Sequence, residues 1–274
     1  QILSSARVAD IACGCGGFLM DVAKYIHKKT GKCYRHIYKE NIFGIDIQAY
    51  SIERCRILLN LLAISEGECS EFEFNLKNAD TLDFHAEGWN PVFDGFDVIV
   101  GNPPYVCARN MEDGIKEKTK MYEVCRAGST DLYIPFFQIA IEMLKENGVL
   151  GYITMNTFLK SLNARELRKY FMDGGYNISI VDFLGHQVFP GKSTYTCLFF
   201  LKKEASEILH YYCDENAELK KRFDYTDIPY SVLDAEKGWN LNEYKVAYKL
   251  ERVGIPLSKF CPSRHGIATL SNKT

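Results

Sequence analysis

Short apolar runs and stretches with a three-to-four-residue apolar spacing take turns along this chain. Val8-Ala9-Asp10-Ile11 reads as a strand, followed by a glycine-rich turn and a helix from about Phe18 to Lys29. Ile42 to Asp46 reads as the next strand. In Gln48 to Ile64, the apolar residues Ile52, Cys55, Leu58, Leu59 and Leu62 fall at helical spacing. Phe72 to Leu76 and Phe96 to Val100 read as a third and a fourth strand. The polar stretch Ala108 to Thr130 reads as a loop, and Asp131 to Lys145 as an amphipathic helix that stops near Gly148. Val149 to Thr154 follows as a strand, Ala164 to Met172 as a helix and Ile178 to Phe183 as a strand. Tyr195 to Leu201 and Glu207 to Tyr212 have no helix between them and are expected to form an antiparallel pair. From about Asp214 to Thr274 the pattern weakens and places no core. Strand-helix alternation with this late pair predicts an α/β fold, a doubly wound and mostly parallel sheet with one antiparallel strand.

In such sheets ligands bind beyond the carboxyl ends of the strands, so the residues that end each strand carry the chemistry. Asp10 ends the first strand and is followed by Gly14, Gly16 and Gly17, which let the backbone approach a ligand closely. The glycines alone fit equally a tight turn with no ligand. A carboxylate before them would repel a phosphate and suits the amine of an amino-acid-like ligand. Asp46 ends the second strand, where a carboxylate accepts from ribose hydroxyls. Asp80 ends the third, where it can accept from the amino group of an adenine. Each acid alone reads as an exposed loop residue. Three at successive strand ends, matching amine, ribose and adenine, describe S-adenosylmethionine.

The fourth strand ends in Gly101-Asn102-Pro103-Pro104-Tyr105. Two prolines stop sheet and helix alike, because neither has an amide hydrogen and each fixes its backbone angle. That rigidity holds the side-chain oxygen of Asn102 and the carbonyl of Pro103 toward one point. Two acceptors there suit a planar amino group with two hydrogens. Holding both hydrogens pulls the nitrogen toward tetrahedral geometry and frees its lone pair for direct in-line attack on a methyl group. Tyr105 offers a face for stacking a flat substrate, worth about 1–3 kcal/mol for a base.

Composition changes this picture little. Of 274 residues, 47% are hydrophobic and 25% charged, an ordinary globular balance with room for one large domain. The ten cysteines include no C-x-x-C pair, so neither a zinc site nor a secreted disulfide framework is expected, and a reducing cytoplasm is. The six histidines show no ligand spacing. No run approaches membrane-spanning length. The start lacks the character of a signal peptide and an initiator Met, which suggests a fragment of a longer chain. The net charge of -2 gives no global attraction to nucleic acid, although a local basic face or another domain can supply phosphate contacts. The run Lys116-Glu117-Lys118-Thr119-Lys120 is read as a solvated loop face, with a DNA-facing loop as the alternative.

These motifs together resemble the catalytic domain of the gamma-class adenine-specific DNA methyltransferases, including the methylase parts of type IIG restriction-modification enzymes. "DIACGCGGF" is similar to that family's D-P-A-C-G-S-G-x-F, with Ile11 for its Pro and Cys15 for its Ser. "IFGIDI" and "NADTLDF" resemble its next two motifs, "NPPY" matches outright, and "HQVFPGKSTYTCLFFLKK" resembles its late motif. The resemblance runs from about Val8 to Lys203. It implies a Rossmann-like S-adenosylmethionine-dependent methyltransferase fold with a mostly parallel seven-stranded sheet and one antiparallel strand. Residues 1–213 would form the catalytic domain, and residues 214–274 a linker and the start of a target-recognition region into which "GIATLSNKT" leads.

By the same resemblance, Asp10, Ala12, Gly14 and Gly16 surround the methionine part of S-adenosylmethionine. Asp46 holds the ribose and Ile47 lies against the adenine ring. Asp80 accepts from its amine, with Thr81 beside it and Phe136 on the other side. Asn102 and Pro103, stiffened by Pro104, hold the target amine and Tyr105 stacks on the target base. Phe189 closes the far side of that base and Lys192 approaches its edge. The implied activity is methylation of the 6-amino group of adenine in double-stranded DNA. The base would be flipped out of the helix. The setting would be a bacterial or archaeal restriction-modification or defence system, with a fused or separate endonuclease and target-recognition domain. Two other readings stay open: the same hook acting on a protein glutamine amide or on RNA, and a catalytically silent DNA-binding subunit that keeps the fold.

Overall fold

A computed structural model describes residues 2–84, 93–186, 188, 195–218, 222–255 and 259–261. Nine strands form one sheet in the order β3-β2-β1-β4-β5-β7-β6-β8-β9. They are β1 (Val8–Asp10), β2 (Ile42–Asp46), β3 (Asn75–Asn78), β4 (Phe96–Gly101), β5 (Leu144–Met155), β6 (Tyr176–Asp182), β7 (Thr196–Ala205), β8 (Ile208–Cys213) and β9 (Thr226–Pro229). The helices are α1 (Ile2–Ser5), α2 (Gly17–Thr30), α3 (Tyr34–Glu40), α4 (Ala49–Ser65), α5 (Asp113–Thr119), α6 (Tyr133–Met143), α7 (Arg165–Gly174) and α8 (Tyr244–Val253). Among the described residues no helix is long and apolar enough to cross a membrane.

Side-chain alternation along β2 divides the core into two. Ile42 points into a cluster with Leu19, Ala23, Tyr34, Ile37 and Leu59 beneath α2, α3 and α4. Phe43 and Ile45 point to the opposite face, where the larger cluster gathers Phe137, Phe158, Phe171 and Phe199. The four aromatic rings meet mostly edge to face, with Phe137 and Phe199 centroids 4.9 Å apart at 76°. Helix α2 fits its role through Leu19, Ala23 and Ile26 on one stripe, and stops at Gly31, whose φ of 70° few other residues adopt. Helix α6 is buried nearly all round, as its sequence, apolar except for Gln138 and Glu142, demands.

The parallel α/β sheet with reversed strands is as the pattern predicts, but it has nine strands rather than seven, and two rather than one run against the rest. β7 lies between β5 and β6, antiparallel to both, and β9 is antiparallel to β8. The expected pairing of the stretches now assigned to β7 and β8 does not form, because β8 pairs with β6 in parallel. A two-residue link normally signals a hairpin. Here Ser206 and Glu207 carry the chain past the start of β6, with the Ser206 N–H donating to the Gly175 carbonyl at 2.6 Å. Two interstrand spacings of about 4.8 Å lie within reach of so short an extended link. β7 belongs inside the sheet because Cys197, Phe199 and Leu201 are all buried.

Other departures have local causes. The third strand begins at Asn75, not Phe72, because Phe72 and Phe74 turn onto the ring of Tyr38 before pairing with β2 starts. Leu58, expected on the buried face of α4, is 37% exposed. Helix α3, which buries Tyr34, Ile37 and Tyr38, was not anticipated. The polar stretch 108–130 is no plain loop: it contains α5 and a 3-10 turn, Glu123–Cys125, with Val124 and Cys125 buried. The core also runs on past Asp214. β9 adds an edge strand, and Ile228, Tyr230, Trp239 and Leu241 join the larger cluster, so the hydrophobic core runs on to Leu241.

Candidate active site

β1, β2, β3 and β4 run parallel, so their carboxyl ends share one edge of the sheet. Asp10 ends β1 there and is only 2% exposed. Its Oδ1 accepts from the Ala12 N–H at 3.0 Å. Burial, above all, pushes its carboxyl up to about 7; the Ala12 hydrogen bond opposes this and the negative charge of Asp46 adds to it. The neighbouring strand makes room for the carboxylate with a glycine. A Cβ on Gly101, the last residue of β4, would stand 2.8 Å from Asp10 Oδ1. The Asp10 carboxylate therefore lies against the backbone directly before Asn102.

The glycine turn is shaped from two sides. Asp46 Oδ2 accepts from the Gly14 N–H at 2.9 Å and its Oδ1 from the Gln48 N–H at 2.8 Å. Gly14 has a φ of 52° and faces open space. Gly16 has a φ of 85°, and a Cβ there would lie 2.3 Å from the Sγ of Cys55 on α4. Below the turn, the buried, free Cys13 thiol hydrogen-bonds with that of Cys55; this contact first, and then burial, pushes the Cys13 thiol far up, away from its reactive form. Cys15, by contrast, is exposed.

The next acids converge on the same place. Asn78 donates to the carbonyls of Asp46 and Ile47 at 3.0 and 2.9 Å, locking the end of β3 to the end of β2. Ile47 is 59% exposed, an apolar side chain presented beside Asp46. Asp80 Oδ1 accepts from the Leu82 N–H at 3.0 Å, and its Oδ2 accepts from Lys118 Nζ at 2.7 Å. The Thr81 hydroxyl donates to the Ile11 carbonyl at 2.6 Å, so it ties the end of β3 to the turn after β1. Phe136 is buried in the larger core cluster, and its carbonyl accepts from the Tyr152 hydroxyl at 3.3 Å.

In the hook, Asn102 is exposed, Pro103 buried, and Pro104 and Tyr105 half-buried. Tyr105 donates its hydroxyl to the Ile153 carbonyl of β5 at 3.0 Å and meets Tyr133 edge-on, with centroids 6.4 Å apart at 82°. Burial raises its hydroxyl pKa well above the ordinary value. The ring is thus held at its tip and edge. Tyr133 in turn shares a 3.0 Å hydrogen bond with Thr157. Past Thr157, beyond the ends of β5 and β6, a cavity of about 560 Å³ is lined by Asn156, Lys160, Asp182, Leu184 and Tyr195 among others. Asp182 accepts from Asn156 Nδ2 at 2.7 Å and from the Tyr211 hydroxyl at 3.0 Å.

The structure brings Asp10, Ala12, Gly14, Gly16, Asp46, Ile47 and Asp80 to one edge, with the hook beside Asp10. Phe189 and Lys192 lie outside the described residues, as does Gly266 to Thr274. Sequence reasoning placed Gly101 in the hook without its contact to Asp10, and it missed the parts played by Cys55, Lys118 and Asp182. Lys118 had no signal, since its run looks the same at every lysine. Within the charged run, which is largely solvated, Lys118 reaches across to Asp80 and Asp83, whereas Lys116 and Lys120 pair along the helix surface with Asp113 and Glu117.

The chain matches the Eco57I restriction-modification methylase family over residues 40–189, more than half of its length. It is 30% identical to the type II restriction enzyme and methyltransferase RM.Eco57I of Escherichia coli, over 77% of this chain and 26% of that protein. It is 27% identical to the type II methyltransferase M.BanIII of Aneurinibacillus aneurinilyticus, over 72% of this chain and 33% of that protein. The chain thus spans between a quarter and a third of these relatives. Its fold is shared with a DrdV-DNA complex (TM-score 0.68, 18% identity, covering 88% of this chain and 28% of that one). It is shared too with a putative class I S-adenosylmethionine-dependent methyltransferase of Listeria monocytogenes (TM-score 0.54, 18% identity, covering 80% and 57%).

Proposed function

The chain belongs to the Eco57I restriction-modification methylase family, and on that premise we propose that it methylates the 6-amino group of adenine in a specific DNA sequence, as the catalytic part of a restriction-modification system. One observation carries the reading: the buried Asp10 carboxylate lies against Gly101, so the anchor for an amino-acid-like cofactor and the Asn102 hook share one wall.

S-adenosylmethionine, when bound, supplies a methyl group on a positively charged sulfur. The residues present fit it. Asp10 accepts from its ammonium, Gly14 leaves open backbone beside its methionine part, and Asp46 keeps lone pairs for ribose hydroxyls beyond its two backbone bonds. Ile47 offers an exposed apolar side chain to the adenine ring, and Asp80 an acceptor for its amine.

Asn102 and the Pro103 carbonyl hold both hydrogens of the target amine. The nitrogen lone pair is then less delocalised into the ring and is presented for direct in-line attack. Tyr105, held by Ile153 and Tyr133, stacks on a base flipped out of the duplex. Phe189 and Lys192 are proposed at the far side of that base. Target recognition and cleavage are assigned to chain beyond the core, fused or separate.

The test uses S-adenosylmethionine with a labelled methyl group, offered with unmethylated DNA, transfer RNA and a protein extract in parallel. The expected product is 6-methyladenine in DNA. Label in glutamine or RNA overturns the substrate, and no label with cofactor still bound indicates a silent subunit. Asn102→Ala is expected to lower turnover by at least a hundredfold while cofactor affinity stays within a few-fold; near-normal turnover would sink the role given to the hook.

A further inference from the structure

The segment between the hook and α6 is docked onto the turn that carries Asp80. Lys118 Nζ stands 2.7 Å from Asp80 Oδ2 and also bonds Asp83 Oδ2. Four residues on, the Tyr122 hydroxyl donates to the Leu82 carbonyl at 2.6 Å. Behind them the Val124 N–H donates to Gln138 Oε1 at 3.3 Å, and Val124 and Cys125 are buried. The backbone on the far side of Lys118 is therefore fixed to α6, and the lysine is delivered to one place. Partly exposed ion pairs add little to stability, so stability alone does not account for one lysine shared between two carboxylates. The pairing does place a group that only donates beside a group that, ionised, only accepts.

We propose that Lys118 is a cofactor-binding residue that, together with Asp80, reads the adenine of S-adenosylmethionine: the adenine amine donates to Asp80 and a ring nitrogen next to that amine accepts from Lys118 Nζ. The proposal rests on the assignment of Asp80 to the cofactor's adenine. An adenine edge presents a donor beside an acceptor, the complement of this pair. The side-by-side atoms, 2.7 Å apart, are close enough to address neighbouring positions on one ring. An ammonium has three hydrogens; Asp80 and Asp83 use two, and one remains for the ring nitrogen. Asp83 is then a positioning residue that aims the ammonium. A purine with a carbonyl in place of the amine would set acceptor against acceptor at Asp80 and be rejected. Cofactor loading would also hold residues 113–122 in place, since the lysine that meets the ring belongs to that segment.

Calorimetric binding of S-adenosylhomocysteine, its inosine counterpart and its 1-deaza and 7-deaza analogues tests this without turnover. The wild-type chain is expected to bind the inosine form and one of the two deaza analogues on the order of tenfold or more weaker than S-adenosylhomocysteine. Lys118→Met is expected to bind S-adenosylhomocysteine about tenfold weaker and no longer to distinguish that deaza analogue. Wild-type binding that is equal for both deaza analogues and the parent overturns the proposal, whatever the variant does. So does a Lys118→Met chain with unchanged affinity and unchanged discrimination. A wild-type chain that binds none of the four overturns the cofactor reading beneath it.

Discussion

Asp10 carries a carboxylate where the surroundings resist its charge. Its carboxyl stands at about 7 in the folded chain against an ordinary value of 3.8. A raised acid contributes stability that is fully present below 3.8 and is lost as the pH climbs through 7. About three units at about 1.4 kcal/mol each put the loss on the order of 4 kcal/mol. Asp10→Asn, nearly the same shape without the charge, is therefore expected to raise the stability of the cofactor-free chain by a few kcal/mol at pH 8 and to change it little at pH 4. Urea denaturation at the two pH values checks this, and equal effects at both would show that the charge is not penalised. Asp10 and Asp46 were legible in the sequence because a strand followed by a turn marks its own last residue, and Asp80 because it stands in the turn directly after β3. Lys118 was not: in a run of alternating charges, which one meets Asp80 depends on how α5 docks, and that is set by Tyr122 and Val124 just after the run and by Gln138 on α6.

Between α2 and α4 the limiting dimension is a single methyl group. Gly16 combines a φ of 85° with a space that a Cβ would share with Cys55 Sγ at 2.3 Å. Gly16→Ala is expected to destabilise the chain by roughly 2–4 kcal/mol, from left-handed backbone strain together with overpacking. Gly17→Ala, with no neighbour within 4 Å, is expected to stay within about 0.5 kcal/mol of the parent. Adding Cys55→Ala to Gly16→Ala should recover part of the loss, and a strictly additive double variant would mean that the two residues do not meet. Helix α2, with one apolar stripe, was readable because the stripe is local; α4 was readable as a helix, but its apolar residues run on to the exposed face at Ile57, Leu61 and Ile64. Strand order was not. The two-residue link between β7 and β8 satisfies the hairpin pattern and the crossing over β6 equally well, and only the burial of β7 on both edges decides between them.

At the scale of the whole molecule, the chain past Asp214 is part of the core rather than an appendage. Trp239 is fully buried, with its ring 6.3 Å from Phe171 and 6.4 Å from Tyr230, and its backbone N–H donates to the Leu159 carbonyl at 2.6 Å. Trp239→Ala is expected to cost about 3–5 kcal/mol in chemical denaturation; a loss below about 1 kcal/mol would mean that residues 226–241 are dispensable to the core. The sequence hid this because isolated buried residues on turns repeat with no period, which leaves nothing for a pattern to catch. The place of β7 has a consequence for how the molecule comes into being. β5 and β6 are both synthesised before it, yet they do not pair with each other, and each waits with an open edge for the same later strand. In the finished sheet β6 is joined to β5 only through residues 196–205, so it cannot take its place beside the first five strands before those residues have been made. The stretch bearing Phe189 and Lys192 leads directly into β7. Until β7 is in place, the facing edges of β5 and β6 stand open to wrong partners.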